Sequence, residues 1–292
     1  MSKRPKPNYY RNEHSNEQRG RPERENDRPL RRGREEIRGD GGDGDGPTLI
    51  FGVHAAEAAL RNPARVVDQL FVTDNGENRL KDALAARSHA GVKLNRVTPR
   101  DLDRRLGADT VHQGILLECG SLPEPTLEQL ADLSDSAGPL VVLDQVTDPH
   151  NVGAILRSAA VFGAQGVLMT RRHSPPLGGV LAKSASGALE HVPVVLVANL
   201  ARALDELASL AYRRIGLDGT GDMAAEAEPF SGRVAIILGA EGRGLRQLTR
   251  EHCDALVRIS GTGPLASLNV SNAAAVTLHL AAMRRRAAVK PT

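Results

Sequence analysis

The residues best suited to chemistry gather in three short stretches in the second half of the chain. The first is Asp144-Gln-Val-Thr-Asp148-Pro-His-Asn151-Val-Gly153-Ala-Ile-Leu-Arg157. The second is Ile237-Leu238-Gly239-Ala-Glu241-Gly242-Arg243-Gly244-Leu245, and the third runs from Ile259 through Ser267-Leu268-Asn269-Val-Ser271-Asn272. Carboxamides, hydroxyls and glycine backbone bind and orient a polar ligand, and one carboxylate and one guanidinium add charge. Each stretch also has an ordinary structural reading. A helix needs one N-cap, whose side-chain oxygen accepts free N–H groups of the first turn, and Asn151 meets that need. Four Ser and Asn residues between 267 and 272 exceed it, which leaves either a generously capped core helix or a binding floor at a helix start. Arg157 stands among Ala154, Ile155, Leu156, Ala159 and Ala160. It is either a functional cation, six residues and under two turns from Asn151, or a surface arginine whose stem lies over apolar neighbours. Glu241 is the single acid in a loop with three glycines, where a strand-to-helix turn needs one.

Other chemistries fit poorly. Gly261-x-Gly263-x-x-Ala266 lies between a strand and a helix, as in a dinucleotide-binding turn. That fingerprint needs a further strand with an acid about twenty residues on, whereas here Arg284-Arg285-Arg286 and then Thr292 follow. There is no Gly-x-x-x-x-Gly-Lys-Ser/Thr phosphate loop and no Gly-x-Ser-x-Gly elbow. His54, His112, His150, His173 and His191 are scattered without zinc spacing, so no metal is expected.

The elements that must position the three stretches follow from hydrophobic pattern. From Leu140 onward, near-continuous apolar strands alternate with helices, the sign of a parallel sheet. Strands are expected at Leu140 to Leu143, Val167 to Met169, Val192 to Val197, Tyr212 to Leu217, Val234 to Leu238 and Ala255 to Ile259. Helices are expected at Val152 to Phe162, Gly179 to Ser186, Leu200 to Leu210 and Leu245 to Cys253, with a long one closing the chain. Ligands in open α/β sheets bind outside the carboxyl ends of the strands, and all three stretches occupy such ends. Upstream, residues 47–122 predict a small layered α/β domain. Its strands are Leu49 to Phe51, Val66 to Thr73, Val92 to Val97 and Ile115 to Cys119, with helices at Val53 to Leu60, Leu80 to Ala90 and Pro99 to Leu106. Residues 123–138, with their prolines and acids, read as a linker carrying a short helical pattern from Leu127 to Leu133. The larger domain then spans 139–288, with a tail at 289–292.

Composition narrows the partners. The chain of 292 residues has 38 Lys plus Arg against 35 Asp plus Glu, a net charge of +3. Residues 1–46 hold twelve basic and ten acidic side chains and almost no large aliphatics. Such a segment buries too little apolar surface to offset its ordering entropy, so a disordered tail is expected. Its arginines either touch RNA phosphates or form a solvated polyampholyte. With no Trp, three Tyr and four Phe, an aromatic stacking platform for RNA bases is not expected. Cys119 and Cys253 lie far apart, as buried thiols in a reducing compartment would. No run approaches eighteen apolar residues and no signal-type core opens the chain. A soluble cytoplasmic protein without a membrane partner is expected.

Taken together, Asn151-x-Gly153-x-x-x-Arg157, Leu238-Gly239-x-Glu241-Gly242-x-Gly244 and Ser267-Leu268-Asn269-Val270-Ser271 resemble, in that order, the three motifs of the SpoU/TrmH family. These are 2'-O-ribose RNA methyltransferases of the SPOUT superfamily, and the resemblance covers residues 140–286. Phe51-Gly-Val-His-Ala, Val111-His-Gln-Gly114 and the run from Lys183-Ser-Ala-Ser-Gly-Ala to His191-Val-Pro resemble the branch acting on 23S rRNA. That branch methylates the guanosine in the P loop of the peptidyl-transferase centre. The resemblance implies a SPOUT-type parallel sheet with a C-terminal trefoil knot, which physical reading of a sequence would not propose. It also implies a ribosomal-protein-like RNA-binding domain at 47–122 and a homodimer. The partner would be 23S rRNA or the assembling large subunit rather than DNA, because the target is a 2'-OH.

The implied cofactor is S-adenosyl-L-methionine, held at Leu238, Gly239, Gly242, Ile259, Leu268 and Asn269, largely through backbone. The implied catalytic set is Arg157, Asn151, Glu241, Asn269 and Ser267. Arg157 is either a base or a grip on the neighbouring phosphate, and a guanidinium pKa above about twelve favours the grip. Asn151 and Asn269 would orient the ribose and Arg157, while Glu241 would fix a loop or pair with Arg157. One departure stands out: Ser260-Gly261 follow the strand where the family usually has Pro and Met. A tRNA-directed relative would share all three motifs, and a non-catalytic RNA-binding or ribosome-assembly module is the further alternative.

Overall fold

The structure, a computed structural model, describes residues 46–86, 92–132, 138–264 and 267–288. Residues 1–45 and 289–292 of the expected tails, the end of the helix expected to reach Ala90, Leu133 at the end of the expected linker helix, and Ala266 lie outside the described residues. The first sheet is built from β1 (Thr48–Phe51), α1 (Val53–Arg61), β2 (Val67–Val72), α2 (Asp74–Ala86), β3 (Lys93–Arg96), α3 (Pro99–Leu106) and β4 (Ile115–Cys119). Its strand order is β1-β4-β2-β3. The most apolar strand, β4, lies antiparallel between β1 and β2, and β3 joins β2 in parallel. Helix α2 begins at Asp74 rather than at Leu80. Its first turn is polar and carries Asp74 and Glu77, which favour a helix N-terminus through the macrodipole but contribute nothing to apolar periodicity.

The stretch expected as a linker contains α4 (Leu127–Ala131), started by a capping box between Thr126 and Gln129. Leu127, Leu130 and Ala131 are buried in the core of the second sheet. Prolines upstream suggested a tether, yet two buried leucines contribute about 1.5–3 kcal/mol each and dock it.

The second sheet comprises β5 (Leu140–Asp144), α5 (Pro149–Phe162), β6 (Gly166–Thr170), α6 (Gly179–Ala185), β7 (Val194–Val197), α7 (Leu200–Ser209), β8 (Arg213–Leu217), β9 (Met223–Ala224), β10 (Val234–Gly239), α8 (Gln247–Glu251), β11 (Ala255–Arg258) and α9 (Val270–Ala288). The order is β7-β6-β5-β10-β8-β11-β9, with every pairing parallel. Strands β5 and β6 are buried at every residue, as a parallel sheet covered on both faces requires. The two-residue β9 is too short to show a period in sequence.

Two features of this sheet set up the site. Helix α5 starts three residues before the expected Val152, because Asp148 caps it, accepting the His150 N–H at 2.9 Å, and Pro149 fills the first turn. Further, the chain leaves β5 through α5 toward β6 on one side and leaves β10 through α8 toward β11 on the other. The neighbouring pair β5 and β10 is therefore a switch point, where a crevice opens at the carboxyl ends.

The apolar core is continuous across both sheets, from Ile50, Val53 and Leu70 through Leu181 and Ala185 to Ile236, Val257 and Leu278. No helix of the described residues is long and apolar enough to cross a membrane.

Candidate active site

Asp144 and Gly239 are register partners at the ends of β5 and β10. Asp144 closes an otherwise apolar strand and is 1% exposed. Its carboxylate accepts the Arg246 backbone N–H at 3.0 Å and Nε–H at 2.6 Å, the pairing that a buried charge requires. This ties down both ends of the loop from Gly239 to Arg246. Sequence reading gave Asp144 and Arg246 no role, although an acid ending a buried strand was the signal.

Inside the loop the three glycines divide the work. A Cβ on Gly239 would overlap the backbone of Gly244 and Leu245. Gly242 and Gly244 adopt φ of +75° and +65°, which favours glycine. The Gly244 N–H donates to the Ala240 carbonyl at 2.9 Å. The result is a tight turn with Glu241 exposed at its tip.

Because Asp148 caps α5, the carboxamide of Asn151 is released from that duty. Asn151 is buried, and its Nδ2 donates to Glu241 Oε1 at 3.2 Å. Its Oδ1 accepts from Asn269 Nδ2 at 3.0 Å, and Asn269 Nδ2 also donates to Glu241 Oε1. The Asn269 oxygen meanwhile accepts the Ser271 N–H at 2.8 Å and its hydroxyl at 2.6 Å. Capping and site-building thus fall on different atoms of one side chain: the oxygen caps α9 and the amide faces the cluster. Residues 90 and 118 positions apart meet at one point.

The other expected site residues are distributed around this cluster. Glu241 pairs with the two carboxamides and not with Arg157. At 3.6 residues per turn Arg157 lies about 120° around α5 from Asn151. It is exposed and makes no hydrogen bond or ion pair with the described residues. Its neighbour one turn on, Val161, is 68% exposed. Ser267 and Leu268 are exposed ahead of α9, Leu238 is buried at the end of β10, and Ile259 is half-buried just past β11. At the departure from the family pattern, the Ser260 hydroxyl donates to Glu226 at 3.1 Å, and Gly261 has open space where a side chain would be. Gly153 is demanded by packing, since a Cβ there would lie 2.5 Å from that of Ser184 and 2.8 Å from the Ala185 nitrogen, where α5 crosses α6.

Titration elsewhere around the sheet is governed by pairing. The Arg214 guanidinium holds the Asp254 carboxyl below the usual carboxylate range. At Asp218 burial raises the pKa, but hydrogen bonds from Thr220 and Arg250 outweigh it and leave the carboxyl low. Burial pushes the Cys253 thiol up to about 11, so it stays protonated and unsuited to nucleophilic chemistry. Cys119 is fully buried and Cys253 only partly so.

Residues 138–279 match the model of the SpoU rRNA Methylase family, and residues 49–125 match that described as RNA 2'-O ribose methyltransferase substrate binding. A protein of Pseudomonas syringae named 23S rRNA (guanosine-2'-O-)-methyltransferase RlmB is 38% identical over 246 residues, covering 83% of this chain and 98% of its own. Its namesake from Ralstonia nicotianae is 41% identical over 244 residues, covering 81% and 96%. Among solved structures, an RNA 2'-O ribose methyltransferase superposes with a TM-score of 0.65 at 27% identity, covering 82% of this chain and 88% of its own. The SpoU methyltransferase AviRb from Streptomyces viridochromogenes, solved in complex with the cofactor AdoMet, gives a TM-score of 0.70 at 23% identity, with 82% and 91% covered. That last likeness speaks to the fold.

Proposed function

The chain belongs to the SpoU rRNA methylase family, and from that premise we propose that it methylates the ribose 2'-oxygen of a guanosine in 23S rRNA, using S-adenosyl-L-methionine. The observation that carries this reading is the meeting of Asn151, Glu241 and Asn269 at the switch point of the parallel sheet. The loops fit the cofactor. Gly239 lets the loop fold tightly over the end of β10, Gly242 leaves open space beside its backbone, Ile259 follows β11, and Leu268, 50% exposed, offers apolar surface beside polar groups. When bound, the cofactor supplies an electrophilic methyl group on a sulfonium.

The protein's own residues do the rest. An alcohol is a poor nucleophile until its proton leaves. Asn151 and Asn269, locked by Glu241, present carboxamides that orient the ribose. Arg157 grips the adjacent phosphate, which takes the proton, since a guanidinium is too weakly acidic to serve as a base at neutral pH. Ser267 lies exposed beside Leu268 at the mouth of the same site. Holding the reacting atoms in line accounts for much of the rate gain.

Arg157 makes no hydrogen bond or ion pair with Asn151, Glu241 or Asn269. It shares an exposed face of α5 with Val161, while Val276 and Met283 are exposed on α9, which packs against α5. A second copy covering these apolar side chains gives the homodimer. The loops after the last strands are the part expected to form the trefoil knot. Residues 47–122 are the RNA-binding domain, and the cytoplasm is where such a substrate lies. The target nucleotide is the P-loop guanosine of the peptidyl-transferase centre, a choice supported by the Phe51-to-Ala55, Val111-to-Gly114 and Lys183-to-Pro193 resemblances.

Ribose-methylation mapping of total RNA from cells with and without the gene tests the reading. The expected result is loss of one 2'-O-methylguanosine in the 23S P loop, restored by wild type and not by Arg157→Ala. Loss of a tRNA mark instead would keep the chemistry and overturn the substrate. No lost mark would point to a binding module.

A further inference from the structure

Three stretches that the reaction does not use come together on one ridge beside the site. Gln113, held at φ +57°, accepts the Val53 N–H on its Oε1 at 3.0 Å, at the start of α1. His112 secures that turn: its Nδ1 accepts the Gly114 N–H at 3.0 Å, and its other ring nitrogen lies 3.1 Å from Asp103. Gly52, at φ +90°, lies under Lys183, so that a Cβ there would be 3.3 Å from both Lys183 Cγ and Gln113 Oε1. The Ser184 hydroxyl then donates to the His150 carbonyl at 3.1 Å, and the next residue is Asn151. A continuous line of contacts therefore runs from the turn before β4, through the β1–α1 turn and α6, to the carboxamide of the active site.

The groups along this line are placed for a ligand. A non-glycine residue at positive φ costs about 1–3 kcal/mol and persists only where surrounding bonds impose it, as at ligand clamps. Gln113, His54 and His150 are exposed and Lys183 is half-buried. The Lys183 stem is packed over Gly52, while its ammonium has no hydrogen bond or ion pair with the described residues. The first part of its stem is thus placed while the cation has no partner carboxylate among the described residues, which lowers the ordering cost of meeting an anion.

We propose that this ridge seats the RNA strand flanking the target ribose, with the Lys183 ammonium on a backbone phosphate and the Gln113 amide as a neighbouring donor. The inference rests on the methyltransferase reading above and specifies how that site receives its RNA. Lys183→Met keeps the stem over Gly52 and removes the charge, whereas Lys183→Arg keeps the charge. Both are assayed beside wild type in the full-length protein, on a 23S transcript containing the target loop. For Lys183→Met the KM for RNA should rise about tenfold, the loss expected for one charge-assisted hydrogen bond. The slope of log(kcat/KM) against log salt should become shallower by about 0.7–1. Turnover at saturating RNA, S-adenosylhomocysteine affinity and Tm should stay at wild-type values, and Lys183→Arg should retain most of the wild-type KM. An unchanged KM and salt slope in Lys183→Met would overturn the proposal, as would a loss that tracks Tm or S-adenosylhomocysteine affinity. If wild type methylates no RNA offered, the methyltransferase reading fails and takes this proposal with it.

Discussion

Two glutamates with similar neighbours serve this molecule in opposite ways. Glu190 accepts from Arg65 Nη2 at 2.6 Å, from Arg65 Nε at 3.2 Å and from Asn62 Nδ2 at 2.8 Å. Both members of the pair are sealed between the sheets, with side chains 1% and 2% exposed. Glu241 accepts from two asparagines rather than one, but it is exposed and has no cation among the described residues. A charge removed from water must have its counter-charge and hydrogen bonds supplied by the protein. Glu190 is supplied in full, so nothing remains for a ligand and its role is to join the sheets. Glu241 keeps its solvent exposure and fixes two carboxamides, of which Asn151 still has one amide hydrogen and one lone pair unused among the described residues. Burial with complete pairing marks structure, and exposure with fixed geometry marks the site.

Breaking the sealed pair tests this contrast most severely. Glu190→Ala leaves the Arg65 guanidinium without its carboxylate and should destabilise the protein by about 3–5 kcal/mol, measured by urea denaturation. A loss below about 1 kcal/mol, the range of surface pairs, would end the comparison. Glu241→Ala is the converse. Stability should change by less than about 1 kcal/mol, while turnover falls about 100-fold through misplaced carboxamides. Near-normal turnover there would remove Glu241 from the site.

A pair of intermediate exposure sharpens the scale. Asp254 and Arg214 are bonded at 2.7 Å, with side chains 36% and 15% exposed. Arg214 depresses the folded-state pKa of Asp254. Its contribution is therefore present above the unfolded value near 3.9 and is lost as pH falls through the lower folded value. After solvent screening it should amount to about 0.5 kcal/mol. Asp254→Asn should lower the unfolding free energy by that much at pH 6, and the difference should vanish in acid. A difference independent of pH would locate the effect in packing instead.

Much of this molecule was legible along the chain, because short-range patterns follow local physics. The apolar runs of β5, β6 and β10 announced a covered parallel sheet, and Ser/Asn excess and triple glycine marked the strand ends that now hold the cluster. The start of α2 and the docked α4 escaped, since a polar first turn carries no periodicity and prolines mask a short amphipathic turn. Asp144 was visible as an acid but without a function until Arg246, 102 residues away, met it.

By itself, the sequence determined the family, the class of sheet and the three polar stretches from which the site is proposed. Tertiary structure alone decided their partners: Asp148 took over the cap, Asn151 and Asn269 closed on Glu241, and Arg157 turned to the exposed face of its helix. The physical reason is range. Propensity and periodicity are encoded within a few residues, whereas a hydrogen bond spanning 118 positions depends on the order in which seven strands are laid side by side, and that order is set by packing of the whole core.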